Sequence, residues 1–121
     1  MRALIVDDSR AMRRIIASML HDCGLETIEA GHGREGLQQL ASAPPVDIAL
    51  VDWNMPEMNG LDFVKAVRAQ PRFAALPLVM VTTETEMERV AAALDAGANE
   101  YVMKPFGKEA LQDKLALLGI L

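Results

Sequence analysis

Residues 46–52 read VDIALVD, a short apolar run that ends in an aspartate, and residues 3–8, ALIVDD, repeat the pattern with two aspartates. Short continuous apolar runs bounded by acidic residues are typical of strands that are buried on both faces of a sheet. Further runs at 25–30, 78–81 and 100–103 indicate additional strands, although the first of them is less apolar. We therefore predict five strands.

The segments between these strands have apolar residues at the three- and four-residue spacing of helices. The predicted helices span 10–23, 34–41, 61–69, 84–96 and 108–118. This alternation predicts an α/β fold with a parallel sheet and helices on both faces. We predict the flavodoxin-like (βα)5 doubly wound arrangement with strand order 2-1-3-4-5, in which strands 1 and 3 are neighbours and ligands bind beyond the carboxyl ends of the strands.

The composition limits the class of protein. The 121 residues fit one domain, predicted as 1–121, and the net charge of -5 argues against a nucleic-acid binder, which needs a basic face. No apolar stretch approaches membrane-spanning length, and the N-terminus has no signal-peptide pattern. Cys23, the only cysteine, is interpreted as a small buried residue near a helix end. We expect a cytoplasmic monomer with no membrane or nucleic-acid partner.

Polar side chains follow four of the five predicted strands. Asp7 and Asp8 follow strand 1, Asp52 follows strand 3, Thr82 follows strand 4 and Lys104 follows strand 5. The carboxyl ends of parallel strands meet at one edge of the sheet, so these groups are expected to converge at the predicted ligand crevice.

These residue types together suit phosphoryl transfer. Three clustered carboxylates repel one another, and an oxygen-only ligand set suits a hard cation such as Mg²⁺. Lys104 adds a positive charge and Thr82 a hydroxyl donor, which are groups that stabilise a transferring phosphoryl group. Asp52 is the best candidate for a nucleophile that forms an aspartyl phosphate, because it lies centrally between the strand-1 acids and Lys104.

Each residue alone also has an ordinary structural interpretation. Asp8 or Ser9 would suit a helix N-cap, Asp52 a turn and Lys104 a solvated surface. Residues 83–86, Thr-Glu-Thr-Glu, match a capping box for the fourth helix. The conjunction at four strand ends is what favours the phosphoryl site.

The chain resembles the receiver domains of two-component response regulators over essentially its whole length. The motifs that carry the resemblance are DDS at 7–9, DWNMPEMNG at 52–60, VT at 81–82 and KPF at 104–106. The likeness is strongest to the receivers of chemotaxis, through MRRI at 12–15, AAA at 91–93 and YVMKPF at 101–106. The family has the 2-1-3-4-5 strand order, so the fold prediction is not independent of this resemblance.

The resemblance implies a role for each site residue. Asp52 accepts a phosphoryl group from a histidine kinase, and Thr82 and Lys104 contact the phosphoryl oxygens. Asp8, Asp52 and the backbone carbonyl of Asn54 bind Mg²⁺ directly, while Asp7 acts through water. The peptide bond between Lys104 and Pro105 is cis in this family.

The resemblance also implies how the signal ends and how it is passed on. Asn54 and Glu84 lie at the positions that tune autodephosphorylation, and Tyr101 is expected to respond to Thr82 and to alter the face formed by helix 4, strand 5 and helix 5. The implied target is a protein such as the flagellar motor switch, with a phosphorelay shuttle or a phosphate sink as alternatives. Trp53 is expected to be a half-exposed neighbour of the site.

Two departures from the family leave the target open. Ser9-Arg10-Ala11 differs from the corresponding triplet of the chemotaxis receivers, and Arg10 borders the site. The segment 115–121 is unusually apolar on a face that such proteins use for partners.

The favoured class is a phosphoacceptor switch, which is not an enzyme except that it catalyses its own phosphorylation and dephosphorylation. Two other classes compete with it. Haloacid-dehalogenase-type phosphatases use Asp-x-Asp after the first strand, with the second acid as general acid and base. Here the nucleophile follows strand 3 and the second residue after it is Asn54, which cannot transfer the proton. A receiver-like scaffold that is never phosphorylated is disfavoured by the complete set of site residues.

Overall fold

The computed structural model describes residues 1–42 and 44–121, and the side chains of Glu84, Thr85 and Met87 lie outside the described part. One parallel sheet with strand order β2-β1-β3-β4-β5 organises the chain, which confirms the predicted flavodoxin-like topology. Its strands are β1 (Arg2–Val6), β2 (Glu26–Ala30), β3 (Ile48–Asp52), β4 (Leu78–Thr82) and β5 (Glu100–Met103).

Helices connect successive strands and cover both faces of the sheet. They are α1 (Arg10–Asp22), α2 (Gly33–Ser42), α3 (Gly60–Arg68), α4 (Val90–Ala96) and α5 (Lys108–Leu117), with 3₁₀ turns at Pro71–Phe73 and Glu84–Arg89. Apart from α4, every predicted boundary lies within about two residues of the observed one, which is the usual disagreement at frayed ends. None of the described helices is long and apolar enough to cross a bilayer.

The prediction of a continuous fourth helix over 84–96 is wrong. The segment Glu84–Arg89 is a 3₁₀ helix, and the α-helix begins only at Val90. The glutamate arm of the capping box does form, because Glu86 Oε1 accepts hydrogen bonds from the Thr83 amide at 3.1 Å and hydroxyl at 2.7 Å, while the Glu86 amide donates to the Thr83 carbonyl at 3.0 Å. However, Met87 is the only apolar residue in 84–89, so this segment has no stripe to pack on the sheet, whereas Val90 and Ala93 are buried.

Two apolar layers separate the sheet from its helices. Val6, Val51, Phe63 and Met80 belong to the layer beneath α2, α3 and α4, and the opposite layer lies beneath α1 and α5. Its larger members are Ile5, Ile16, Leu20, Leu50, Leu111 and Leu115.

Two expectations about burial need correction. Trp53, expected to be half-exposed, is only 4% exposed. Its amide donates to the Val81 carbonyl at 3.1 Å, which extends the strand pairing beyond β3, and its ring shares the layer of Val51 because alternate strand residues share a face. Cys23, expected to be buried, is half-buried at the end of α1.

Arg68 ties the N-terminal edge of the sheet together. Its guanidinium donates to the carbonyl oxygens of Gly97 at 3.0 Å and Phe73 at 2.6 Å, and to Asn99 Oδ1 at 2.9 Å. The same Asn99 oxygen accepts from the Leu78 amide at 2.9 Å. One side chain therefore joins α3, the connection before β4 and the connection before β5.

Replacing Arg68 with alanine should lower the free energy of unfolding by about 2 kcal/mol, because it leaves carbonyl groups in partly buried positions without their charged donor. The matched control is Arg72→Ala, since Arg72 is exposed and its guanidinium lies 4.6 Å from the centre of the Phe73 ring. That exposed cation–π contact is worth about 1 kcal/mol or less. Urea denaturation of both variants measures the difference, and equal losses would contradict the bridging role of Arg68.

Candidate functional site

Three carboxylates meet at the carboxyl end of the sheet, where the sequence predicted them. Asp7 directly follows β1, and Asp52 is the last residue of β3, the neighbouring strand. Asp7, Asp8 and Asp52 each offer a carboxylate oxygen, and these oxygens lie within 4.8 Å of one another. Asp7 and Asp52 are buried whereas Asp8 is exposed, so the cluster opens to solvent on the side of Asp8.

The two oxygens of Asp7 differ in their surroundings. Oδ1 accepts a hydrogen bond from the Ser9 amide at 2.8 Å. The Ser9 hydroxyl in turn caps α1 by accepting from the Met12 amide at 3.2 Å, so the helix-cap interpretation of Ser9 is confirmed. Oδ2 is buried and has no hydrogen-bond partner among the described residues. A buried carboxylate oxygen of this kind is costly unless a cation compensates it.

Lys104 is the cation that the structure places at the cluster. Its Nζ lies 3.2 Å from Asp52 Oδ1, within hydrogen-bond distance, and 3.5 Å from Asp7 Oδ2. The Lys104 amide donates to the Thr82 carbonyl at 2.6 Å, and the following peptide bond to Pro105 is cis, as the resemblance implied. One ammonium thus pairs with two of the three carboxylates, those of Asp7 and Asp52.

The electrostatic balance of the cluster is unfavourable without a further cation. Burial, together with the charge of Asp7, raises the pKa of Asp52 to about 6, in spite of the opposing effect of Lys104. Burial alone would lower the pKa of Lys104, but the charges of Asp52 and Asp7 raise it overall. Mg²⁺ prefers oxygen ligands and is usually held by one or two carboxylates plus waters and phosphate oxygens. Asp7 Oδ2, which has an ion pair with Lys104 at 3.5 Å but accepts no hydrogen bond, and the oxygen-only ligand set fit such a cation.

Thr82 and Tyr101 share one face of the sheet. Thr82, the last residue of β4, is buried, and its hydroxyl donates to the Thr83 carbonyl at 3.3 Å. Tyr101 on β5 pairs with Met80, two residues before Thr82, and residues two apart on a strand point the same way. Tyr101 is half-buried, and Lys114 Nζ lies 4.9 Å from the centre of its ring.

The remaining predicted residues are less constrained. Asn54 is exposed in the loop that follows β3, and Arg10 is exposed at the start of α1. The side chain of Glu84 lies outside the described part of the structure.

Gly60 ends the motif at 52–60, but nothing in the sequence indicated that it packs against the site. A Cβ atom on Gly60 would lie 2.9 Å from both the Asp52 carbonyl oxygen and the Trp53 Cα, which is closer than real Cβ contacts. Its amide also donates to the Trp53 carbonyl at 2.8 Å. The start of α3 therefore packs directly on the backbone that carries Asp52. The sequence does indicate that α3 begins here, because asparagine is a preferred N-cap residue. Asn59 is the N-cap of α3 in the structure and accepts a hydrogen bond from the Asp62 amide.

Comparison with known proteins places this chain in a family. Residues 3–116 match the response regulator receiver domain. The chain is 47% identical to chemotaxis protein CheY1 of Helicobacter pylori over 119 residues, which cover 98% of this chain and 96% of that protein. It is also 47% identical to a chemotaxis protein CheY homolog of Campylobacter jejuni, over 95% of this chain and 89% of that one. The structure of chemotaxis protein CheY4 of Vibrio cholerae superposes with a TM-score of 0.89 at 38% identity, over 97% of each chain. The chain therefore belongs to the family of response regulator receiver domains.

Proposed function

We propose that this receiver is a phosphorylation switch in which Asp52 accepts a phosphoryl group from a histidine kinase in the presence of Mg²⁺. The observation that carries the proposal is the buried Asp52 carboxylate, which has Lys104 Nζ at 3.2 Å and the carboxylate oxygens of Asp7 and Asp8 within 4.8 Å. Asp8, Asp52 and the Asn54 carbonyl would hold the metal directly, and Asp7 would hold it through water. Bound Mg²⁺ would supply positive charge to the phosphoryl oxygens.

The transfer itself is a displacement at phosphorus. A carboxylate oxygen of Asp52 forms a bond to the phosphorus, the bond from phosphorus to the histidine nitrogen breaks, and that nitrogen keeps the electron pair. The product is an acyl phosphate on Asp52. Lys104 already donates to Asp52 Oδ1, and its ammonium can stabilise the negative charge of the phosphoryl oxygens. The Thr82 hydroxyl can exchange its 3.3 Å hydrogen bond to the Thr83 carbonyl for a stronger one to a charged phosphoryl oxygen.

The return to the resting state is part of the same proposal. Hydrolysis of the acyl phosphate needs a water molecule that attacks the phosphorus in line with the bond to Asp52. Asn54 and Glu84 are the residues proposed to control how much space that water has. Asn54 is exposed beside Asp52, which agrees with such a role.

The relatives suggest the pathway. The names of the Helicobacter, Campylobacter and Vibrio proteins assign them to chemotaxis, so we propose chemotaxis for this chain as well. The partners would be a histidine kinase and a phosphorylation-dependent target such as the flagellar motor switch, reached by a monomer in the cytoplasm. A phosphorelay shuttle or a phosphate sink would use the same site.

One experiment separates the function classes. Acetyl phosphate with Mg²⁺ should add a single phosphoryl group to the protein, whereas the chromogenic substrate p-nitrophenyl phosphate should not be turned over. Repeated turnover of p-nitrophenyl phosphate would indicate a phosphatase of the aspartyl-phosphate type. Absence of any phosphoryl uptake would indicate a scaffold.

The output should depend on Thr82 and Tyr101. Phosphate on Asp52 draws the Thr82 hydroxyl toward it and vacates space on the face that Tyr101 shares, so Tyr101 should rotate inward and change the surface formed by α4, β5 and α5. Crystal structures with and without beryllofluoride, which mimics the phosphoryl group, measure both rotamers. Identical rotamers of Thr82 and Tyr101 in the two structures, free of lattice contacts, would rule out this mechanism.

A further inference from the structure

Arg13 reaches from α1 back to the end of β1. Its Nη1 donates to the carbonyl oxygen of Asp7 at 2.6 Å. Its Nε donates to Glu29 Oε1 on β2 at 3.1 Å. The Arg13 side chain is only 17% exposed. The guanidinium is therefore largely enclosed, and its two acceptors hold it in place.

The bonded carbonyl is the one that precedes Asp8. The Asp7 carbonyl and the Asp8 amide belong to one planar peptide unit, so fixing the direction of the carbonyl fixes the direction in which the chain enters Asp8. The Asp7 amide is fixed as well, since it donates to the Ala30 carbonyl at 3.1 Å. Asp7 is therefore held by β2 on its amide side and by Arg13 on its carbonyl side.

We propose that Arg13 is a positioning residue for the divalent cation, acting through the backbone that carries Asp7 and Asp8; this inference rests on the proposed function. Arg13 would contact neither the metal nor the phosphoryl group, because its bonds go to the Asp7 carbonyl and to Glu29. Its role is to hold the peptide between the two acids in the orientation that lets their carboxylates reach one cation, with Glu29 holding the guanidinium in turn. Residues that orient metal ligands typically contribute 10–100-fold to metal affinity.

The direction in which Mg²⁺ affinity changes when Arg13 is replaced distinguishes a positioning role from a purely electrostatic one. Arg13 is a cation close to a site for another cation, so simple Coulomb repulsion predicts that removing its charge strengthens Mg²⁺ binding. Positioning predicts the opposite, because the freed peptide no longer holds Asp7 and Asp8 together. The neighbouring Arg14 provides the matched control, since it carries the same charge on the same helix and is exposed.

The test is a Mg²⁺ titration of wild type, Arg13→Gln and Arg14→Gln, followed by the fluorescence of Trp53. We expect Arg13→Gln to bind Mg²⁺ about 10-fold more weakly, and Arg14→Gln to bind as wild type does or slightly more tightly. At saturating Mg²⁺ the rate of phosphorylation by acetyl phosphate should return toward the wild-type rate in Arg13→Gln, which a general loss of structure would not allow.

Affinity in Arg13→Gln equal to or tighter than wild type would overturn the proposal, as would a phosphorylation rate that saturating Mg²⁺ does not restore. If Arg13→Gln does not fold, Arg13→Lys, which keeps the charge but cannot bridge both acceptors, replaces it under the same criteria. A wild-type protein that shows no Mg²⁺ binding at all would overturn the proposed function together with this inference, so the two failures are distinguishable.

Discussion

Asp52→Asn should take up no phosphoryl group from acetyl phosphate under conditions in which the wild-type protein is phosphorylated. The amide keeps the size of the side chain and an oxygen that can accept from Lys104, but it is not a nucleophile. Intact mass spectrometry measures the uptake, and Asp113→Asn is the control because Asp113 is an exposed acid on α5. Equal uptake by Asp52→Asn and wild type would show that the phosphoryl group goes elsewhere.

The same variant has a second expected effect, on the stability of the metal-free protein. Burial raises the pKa of Asp52 from 3.8 to about 6, so the folded state binds this proton more tightly than the unfolded chain does. The contribution of Asp52 to stability therefore falls as the pH rises from about 4 to about 6. In EDTA at pH 7, Asp52→Asn should be more stable than wild type by about 2–3 kcal/mol, and the advantage should disappear near pH 4. Urea denaturation at the two pH values measures it.

Asp8→Ala should lose Mg²⁺ binding while the fold remains intact. Asp8 is exposed, so its removal leaves no buried cavity, and it relieves repulsion among the three carboxylates. The affinity should fall by more than about 100-fold, because even residues that only orient ligands contribute 10–100-fold.

Trp53 offers the readout for this loss. It is the only tryptophan, it is buried, and it adjoins Asp52, so its fluorescence should respond to the cation in wild type and not in Asp8→Ala. Asp113→Ala is the control for the loss of one acidic charge. A fluorescence response to Mg²⁺ in Asp8→Ala with the wild-type midpoint would contradict the assignment of Asp8 as a ligand.

Much of the site was predictable because it depends on topology. Four of the site residues end a strand or directly follow one: Asp7, Asp52, Thr82 and Lys104. A parallel sheet brings such positions to one edge, whatever the details of side-chain packing. The strand order, once predicted, placed Asp7 beside Asp52, and the ion pair with Lys104 followed.

The errors arose where tertiary contacts decide the outcome. A capping box and a helical pattern did not reveal that Glu84–Arg89 has too little apolar surface to pack as an α-helix. The position of Trp53 depended on whether strand pairing continues past Asp52, which its bond to Val81 decides. The sequence did not indicate that Arg13 lies beside the site, because its acceptors are a backbone carbonyl and a glutamate on β2.

The central claim is that Asp52 carries a Mg²⁺-dependent acyl phosphate, and chemical trapping tests it most directly. The wild-type protein is incubated with acetyl phosphate in Mg²⁺ or in EDTA, reduced with borohydride, which converts an aspartyl phosphate to homoserine, and digested for peptide mapping by mass spectrometry. We predict homoserine at position 52 alone, and only in the sample that contained Mg²⁺. Reduction at another aspartate, or equal labelling of position 52 in EDTA, would contradict the account.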